Sequence, residues 1–578
     1  FSLLEALTIA PMRCSQFLEV GHSGVIGRTM DSLMRRTTEL YRRILQRCLD
    51  NRWAVVGLAT LFFVASLGIT KALKKEFVPS QDQSRFLVRM TLPLGTSLEV
   101  SDGVFKKAEA WLMSRPEVFQ YYSAVGGFGG GQVNQGILFV TMHDPDQRPL
   151  VHGHHETQAE FMQVARKGLN SIPGVQRAVI QDLSQAGFTA SRGFPVEFTV
   201  QGPDWDKLAE VAGTIMDRMK ASGKMVDVDT DYQLGMPELQ VHPDRVKAAQ
   251  RGVSIASIAD TINAMIGGVR VGKFTSAGKR YDIRVRLAEA DRSSPKDIDS
   301  IWVRNEHGEV VPLRQVVTAE VKPTLLTITR HNRERAITIF ANPAPGTSQE
   351  EALGEVQNIG KQVLPDEYHI VMSGGSQAFK ESFQSLIFAL VLGIFVAYMV
   401  LASQFNSFIH PFTVLLALPF SVTGAFGALW LWHQSLNLYS MIGLILLMGI
   451  VKKNSILLVD FTNERRKKGA GVRDALMEAC PLRLRPIIMT SVSTVAAAVP
   501  EALAKGAGAE TMVPMAVVLI GGVLVSTLLT LLVVPCAYSL LSGLESHAHD
   551  RDLHQALVEL GELPASPEPR SDAEAVEA

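Results

Sequence analysis

Cysteine is scarce in this chain of 578 residues: Cys14, Cys48, Cys480 and Cys536 are all there is, and residues 49–479 contain none. That gap excludes disulfides and CxxC metal sites from the long central stretch. Basic excess is missing too, because 56 Lys and Arg face 57 Asp and Glu, so no electrostatic footprint for nucleic acid exists. No GxxxxGK[ST] occurs, which excludes a phosphate-cradling loop of that type. Most telling is where charge itself is absent. Ser382–Val451 runs 70 residues without Asp, Glu, Lys or Arg, and Thr511–Leu544 runs 34 more. Such runs exclude a soluble or peripheral protein. The chain is an integral membrane protein.

Crossing about 30 Å of hydrocarbon takes about 20 apolar residues. Spans are expected at Trp53–Thr70, Phe383–Ser403, Pro411–Trp432, Leu438–Phe461, Pro486–Pro500 with its flanks, and Met512–Leu541. Phe1–Pro11 reads as the stub of a further, truncated span, and the absence of an initiator Met suggests a fragment of a longer protein. Basic residues in short loops set orientation. Arg35, Arg36, Arg42, Arg43, Arg47 and Arg52 precede the first span, and Arg465, Arg466, Lys467, Lys468 and Arg473 follow the fourth. Both clusters are expected on the cytoplasmic side, which places residues 75–380 outside.

That outer region reads as mixed α/β. Phe86–Leu92 and Gly136–Met142 have the β-branched and apolar density of buried strands. Phe194–Val200 opens a second unit, followed by a helix over Asp204–Ala221, and Ala336–Phe340 is a later strand. G-T-S-x-E occurs twice, at Gly95–Glu99 and Gly346–Glu350. It predicts a repeated strand–turn–helix whose helices open on capping boxes. Residues 243–321 form a strand-rich insertion. Glu545–Ala578, with nine acids against two arginines, reads as a disordered acidic tail.

The sharpest chemical signal is Gly449-Ile-Val-Lys-Lys-Asn-Ser-Ile-Leu-Leu-Val-Asp-Phe461. A lysine deep in an apolar helix costs about 2.5–3.5 kcal/mol on insertion scales, so it normally faces a partner or a water-filled path. Lys453 and its neighbour Asn454 are candidates for that role; the plainer reading is that Lys452 and Lys453 snorkel to the interface. No carboxylate of the chain lies at the same depth. Arg483 and Thr490 open the next span, as a cytoplasmic anchor and a back-bonded hydroxyl or as parts of a proton wire. Gly127, Gly129 and Gly130 bracket Phe128, which suits a mobile loop in a binding cleft or a plain turn. His152, His154, His155 and Glu156 have metal-ligand chemistry, but their setting reads as a solvated loop.

At these residues the chain resembles the resistance–nodulation–division transporters, in their hydrophobe/amphiphile efflux branch. The matching motifs are Gly449–Phe461, Arg483-Leu-Arg-Pro-Ile-Ile-Met-Thr-Ser491 and Glu76-Phe-Val-Pro-Ser-Gln-Asp82. The likeness runs from Phe1 to about Ser542 and covers the C-terminal half of that family's twelve-span subunit. It implies an α-helical membrane bundle of six spans plus the stub of another (residues 1–11), with a cytoplasmic amphipathic connector (12–52) and spans at 53–70 and within 383–541. It further implies a large α/β periplasmic region: a first porter-type α/β subdomain (75–190), a second in two parts (191–242 and 322–380), and a docking-type insertion between them (243–321).

By the same resemblance, Lys453, Asn454, Arg483 and Thr490 match proton-relay positions. Gly127, Gly129 and Gly130 hinge the loop between drug pockets, and Val125, Phe128 and Phe139 match pocket walls. The implied activity is proton-driven efflux of amphiphilic compounds by a multi-pass inner-membrane protein, with no cofactor and no enzymatic step. The implied partners are a homotrimer, a periplasmic adaptor protein, an outer-membrane channel and the missing N-terminal half, whose fourth span would carry the acidic proton acceptors. Ser123 stands where many drug pumps have phenylalanine, which leaves the preferred substrate open. The alternatives are a heavy-metal exporter of the same class, which needs methionines such as Met90 and Met142 in the cleft, and a non-transporting membrane scaffold of similar architecture, which has no use for Lys453.

Overall fold

The computed structural model describes residues 2–17, 25–126, 132–151, 153–186, 193–325, 327–504 and 508–544. They divide into a membrane unit, built from residues 1–83, 347–350 and 377–578, and an α/β unit of residues 84–346 and 351–376. The expected acidic tail lies outside the described residues.

Among the described residues of the membrane unit, six helices are long and apolar enough to cross a bilayer: Arg52–Ile69, Gly374–Phe405, Ile409–Leu431, Leu438–Lys467, Val472–Ala502 and a sixth beginning at Ala509. The second starts nine residues ahead of Phe383, and the fifth shows how long the flanks of Pro486–Pro500 are. It starts 14 residues ahead of Pro486 and carries Pro481, Pro486 and Pro500 inside an unbroken helix. Proline ends helices in water, but in a bundle the neighbouring helices and hydroxyls re-satisfy the freed carbonyls. Two short helices, Ser2–Leu7 and Ile9–Phe17, precede the connector helix Val25–Asp50. The connector buries Tyr41, Leu45 and Leu49, one residue per turn. It is tied down by the Tyr41 hydroxyl, which donates to the Leu531 carbonyl at 2.7 Å, and by ion pairs Asp31–Arg485 at 3.2 Å and Asp50–Arg473 at 2.5 Å.

The sixth span is the pillar of this unit, and small residues let the others touch it. A Cβ on Gly424 would lie 2.4 Å from the Gly521 carbonyl oxygen, and one on Gly521 would lie 2.2 Å from the Cβ of Ala428. On the pillar's other side, a Cβ on Gly522 would collide with Leu447 at 2.1 Å. Hydrocarbon gives helices no hydrophobic reason to associate, so close backbone approach through Gly and Ala supplies the attraction.

The α/β unit contains two copies of one topology. The first is β1 (Arg85–Thr91), α1 (Leu98–Met113), β2 (Val118–Val125), β3 (Gln135–Met142), α2 (Gln158–Asn170) and β4 (Arg177–Asp182), with sheet order β2-β3-β1-β4, antiparallel throughout. The second is β5 (Val196–Gly202), α3 (Trp205–Ala221), β6 (Met225–Thr230), β7 (Glu334–Pro343), α4 (Gln349–Val363) and β8 (His369–Met372), in the matching order β6-β7-β5-β8. Alternation dictates the packing. Phe86, Val88 and Met90 of β1 with Leu138, Val140 and Met142 of β3 face Phe105, Leu112, Phe161 and Leu169 of the helices. The two G-T-S-x-E copies do lie between a strand and a helix, but the first is not a capping box. Ser97 caps α1 by accepting from the Val100 amide, because the Thr96 hydroxyl is spent on the Pro93 carbonyl at 2.5 Å.

The insertion leaves and rejoins the second copy through an antiparallel ribbon, Leu234–Pro243 against Val317–Leu325, whose register sets Pro237 opposite Pro323. It has its own core, including Ala248, Ile258, Ile298, Val303 and Leu313.

The chain between β3 and α2 wraps a buried arginine. Arg148 is 2% exposed and donates to the His143 and Glu156 carbonyls and to the Ser84 hydroxyl at 2.8, 3.1 and 2.8 Å. Burial, and then the neighbouring Glu117 carboxyl, push Glu156 up to about 7. His154 instead meets Glu160 at 3.1 Å, and His155 Nδ1 meets the Arg148 carbonyl at 2.7 Å; His152 lies outside the described residues.

Two tests follow from this packing. Gly424→Ala should destabilise the solubilised chain by about 1–3 kcal/mol, read as a lower thermal unfolding midpoint. Gly427→Ala, whose Cβ would meet nothing within 4 Å, should leave that midpoint unchanged. Glu156 gives a pH signature. An unfolded glutamate titrates near about 4.3, so the fold holds its proton more tightly. Stability from this group is therefore complete below that value and lost as pH rises through about 7. Glu156→Gln should slow hydrogen exchange around residues 143–157 at pH about 8 relative to the parent, and change nothing at pH about 4.

Candidate functional site

On the fourth span (Leu438–Lys467), Met441, Leu444, Leu447, Met448, Val451, Asn454, Ser455 and Leu458 are buried, at the spacing that turns one helix face inward. The opposite face exposes Ile442, Leu446, Gly449, Lys453 and Asp460. Lys453 is thus the one cation on a face that is otherwise apolar at its depth. Among the described residues no hydrogen bond or ion pair reaches its ammonium. Asp460 shares the face but sits seven residues on, about 10 Å along the axis. Lys452, about 100° around the helix, is half-buried, and Asn454 is buried. Arg483 stacks over the Phe461 ring, 4.4 Å from its centroid. Thr490 gives its hydroxyl to the Ile487 carbonyl at 3.0 Å, the back-bonded arrangement. The next residue, Ser491, shares a hydroxyl–hydroxyl bond of 2.8 Å with Thr527 of the sixth span. The four relay candidates therefore sit on adjacent helices without a bond between them.

In the α/β unit, a cavity of about 350 Å³ opens along the seam between the two βαββαβ copies. The face of the first sheet that points away from its helices supplies Arg89, Thr91, Ile137 and Val179; the second copy supplies Asp229, Asp231, Gln233, Thr329 and Phe340. The seam is fastened beside it. Arg166 of α2 grips Asp227 with three contacts of 2.8 to 3.0 Å. Asn342 donates to that carboxylate at 2.9 Å and to the Ile180 carbonyl at 3.0 Å. Asp227 sits at φ +56°, in the left-handed region, held there by these bonds and by the irregular pairing of β6 with β7. Arg177 pairs with Asp229, and Phe194 stacks on Phe340 at 4.7 Å.

Phe139 lies on the same open sheet face, with its ring 6.4 Å from Tyr122, while Val125 packs on the edge of the helix-side core; neither lines the cavity. Phe128, Gly127, Gly129 and Gly130 lie outside the described residues. The acidic lining was not among the sequence candidates, although Asp227-Val-Asp-Thr-Asp231 carries the signal. Acids at a period of two put Asp229 and Asp231 on one side of the extended chain, while the irregular pairing at Asp227 takes the third out of the lining.

The chain matches the AcrB/AcrD/AcrF family over residues 1–542 and belongs to it, which makes it a member of the resistance–nodulation–division transporters and a multi-pass membrane protein. Multidrug resistance protein MdtC of Klebsiella pneumoniae (strain 342) is 28% identical over 545 residues, covering 93% of this chain and 52% of that protein. MdtC of Photorhabdus laumondii subsp. laumondii is 26% identical over 558 residues, covering 95% and 53%. A crystal structure of a heavy metal efflux pump shares the fold, with a TM-score of 0.77 and 24% identity over 88% of this chain and 52% of that one. The chain thus spans about half the length of the relatives it matches.

Proposed function

We propose that the chain takes part in proton-driven export of amphiphilic compounds across the bacterial inner membrane. In this reading the α/β unit lies in the periplasm and works in a homotrimer joined to a periplasmic adaptor and an outer-membrane channel. One observation carries the reading: Lys453 stands on the exposed face of an apolar helix, without a partner among the described residues. A cation there is stable only beside an anion or water. An acid supplied by a facing helix would hold the ammonium, and protonating that acid would release it. Proton entry would thereby move the fourth span, with Arg483 and Thr490 marking the path toward the cytoplasm. The heavy-metal alternative draws little from its two methionines: Met90 borders the seam cavity, but it is 0% exposed and packs in the helix-side core, as does Met142 at 2%. The multidrug names of relatives favour organic amphiphiles.

The test is proton-coupled dye efflux from proteoliposomes carrying the complete transporter. Lys453→Ala should abolish transport at normal expression, and Lys453→Arg should nearly do so, because a planar guanidinium does not replace a compact ammonium. Lys452→Ala should be milder. Full activity in Lys453→Ala would end the relay reading.

A further inference from the structure

The connector helix (Val25–Asp50) packs Tyr41, Leu45 and Leu49 inward, and at 100° per residue its outer surface sorts into rows. Met30, Leu33, Leu40 and Ile44 form one row beside the packed face, and they are 50%, 54%, 57% and 37% exposed. Arg36, Arg43 and Arg47 form the next, each three residues beyond Leu33, Leu40 and Ile44. Arg28, Arg35 and Arg42 occupy the far side. Among the described residues no hydrogen bond or ion pair reaches any of these six guanidinium groups. Two of the helix's three acids are already spent, Asp31 on Arg485 and Asp50 on Arg473. The third, Glu39, can offset one charge of the six. The depth of the helix is set by the chain itself, because the first span starts at Arg52, two residues after the connector ends. An apolar row flanked by unpaired cations at that level is the pattern of a helix lying in the membrane interface.

We infer that the connector helix binds an anionic phospholipid of the adjoining leaflet, with its phosphate held by Arg36, Arg43 and Arg47. The acyl chains lie along Met30, Leu33, Leu40 and Ile44. The arginine row stands about 60° around the helix from the apolar one, which puts the guanidinium groups at the depth of the phosphates once hydrocarbon covers the leucines. A guanidinium takes a phosphate through two parallel N–H bonds, and this fixes the headgroup as well as attracting it. A zwitterionic lipid brings an ammonium to the same row and forfeits the net attraction. Free phosphate meets the arginines but leaves the apolar row in water. Arg28, Arg35 and Arg42 point away from the leaflet and touch no headgroup. Lipid binding needs no transport, so its test stands apart from the export reading.

The purified full chain in detergent is titrated with phosphatidylglycerol and separately with phosphatidylcholine of the same acyl chains, and bound lipid is read by native mass spectrometry. The first phosphatidylglycerol should bind about tenfold or more tightly than the first phosphatidylcholine. Arg36→Gln, Arg43→Gln and Arg47→Gln together should erase that preference, at about fivefold for each arginine lost. The matching triple Arg28→Gln, Arg35→Gln and Arg42→Gln should keep most of it. Neither triple removes a bond within the described residues, so helicity and the unfolding midpoint should match the parent in both. Leu33→Ser with Leu40→Ser should weaken the two lipids alike. Equal affinity for the two lipids in the parent overturns the inference and hands the arginines to an acidic partner protein. An unchanged preference in the Arg36, Arg43 and Arg47 variant also overturns it, as does displacement of phosphatidylglycerol by inorganic phosphate at equal concentration.

Discussion

Everything in the membrane unit depends on how closely the third and sixth spans approach. Gly424 and Gly521 put carbonyl oxygens where side chains would otherwise stand, and the resulting contact makes the sixth span the element that the third, fourth and fifth share. In hydrocarbon this is the available source of specificity, because an apolar side chain gains little by exchanging lipid for another side chain. The same logic explains why the fourth span can carry Lys453 at all. Its inward face is committed to packing, so the charge is confined to the face that the other described residues leave exposed.

The α/β unit answers to a different solvent and uses a different rule. Each βαββαβ copy packs its helices against one face of its sheet; in the second copy the opposite face is covered as well, with Glu197, Thr199 and Gln201 of β5 at 5%, 4% and 1% exposed. The seam forms where the helix-free face of the first sheet meets the second copy, and residues that are unremarkable in their own segments, such as Arg89 and Asp231, come to share a cavity there. The Arg166–Asp227–Asn342 clasp holds that seam with charge-assisted bonds from a planar guanidinium, a geometry that fixes orientation as well as distance.

Hydropathy and strand alternation made the spans and the two sheets legible, because each signal is local and strong. Lys453 was legible for the same reason: a charge in an apolar run has no ordinary explanation. The start of the fifth span was obscured by Pro486, since a breaker rule drawn from aqueous helices does not hold among packed neighbours. The cap at Ser97 was missed by one residue because Thr96 turned its hydroxyl back to Pro93. The cavity was invisible for a deeper reason. Its walls come from Gln132, Asp231 and Phe340, separated by about a hundred residues each way, and only the pairing of β6 with β7 brings the last two together.

The ribbon that carries the insertion has one rung at which neither strand owns an amide hydrogen, because Pro237 faces Pro323. Bending there breaks no ladder bond, so the insertion can lean while the host sheet stays rigid. Both ends of the ribbon meet the host side by side, which also makes the insertion a cartridge. Its surface can be rewritten by mutation, or exchanged wholesale, without altering the register of the sheet that walls the cavity. The surface of the insertion and the walls of the cavity are thereby free to evolve on separate schedules within a single chain.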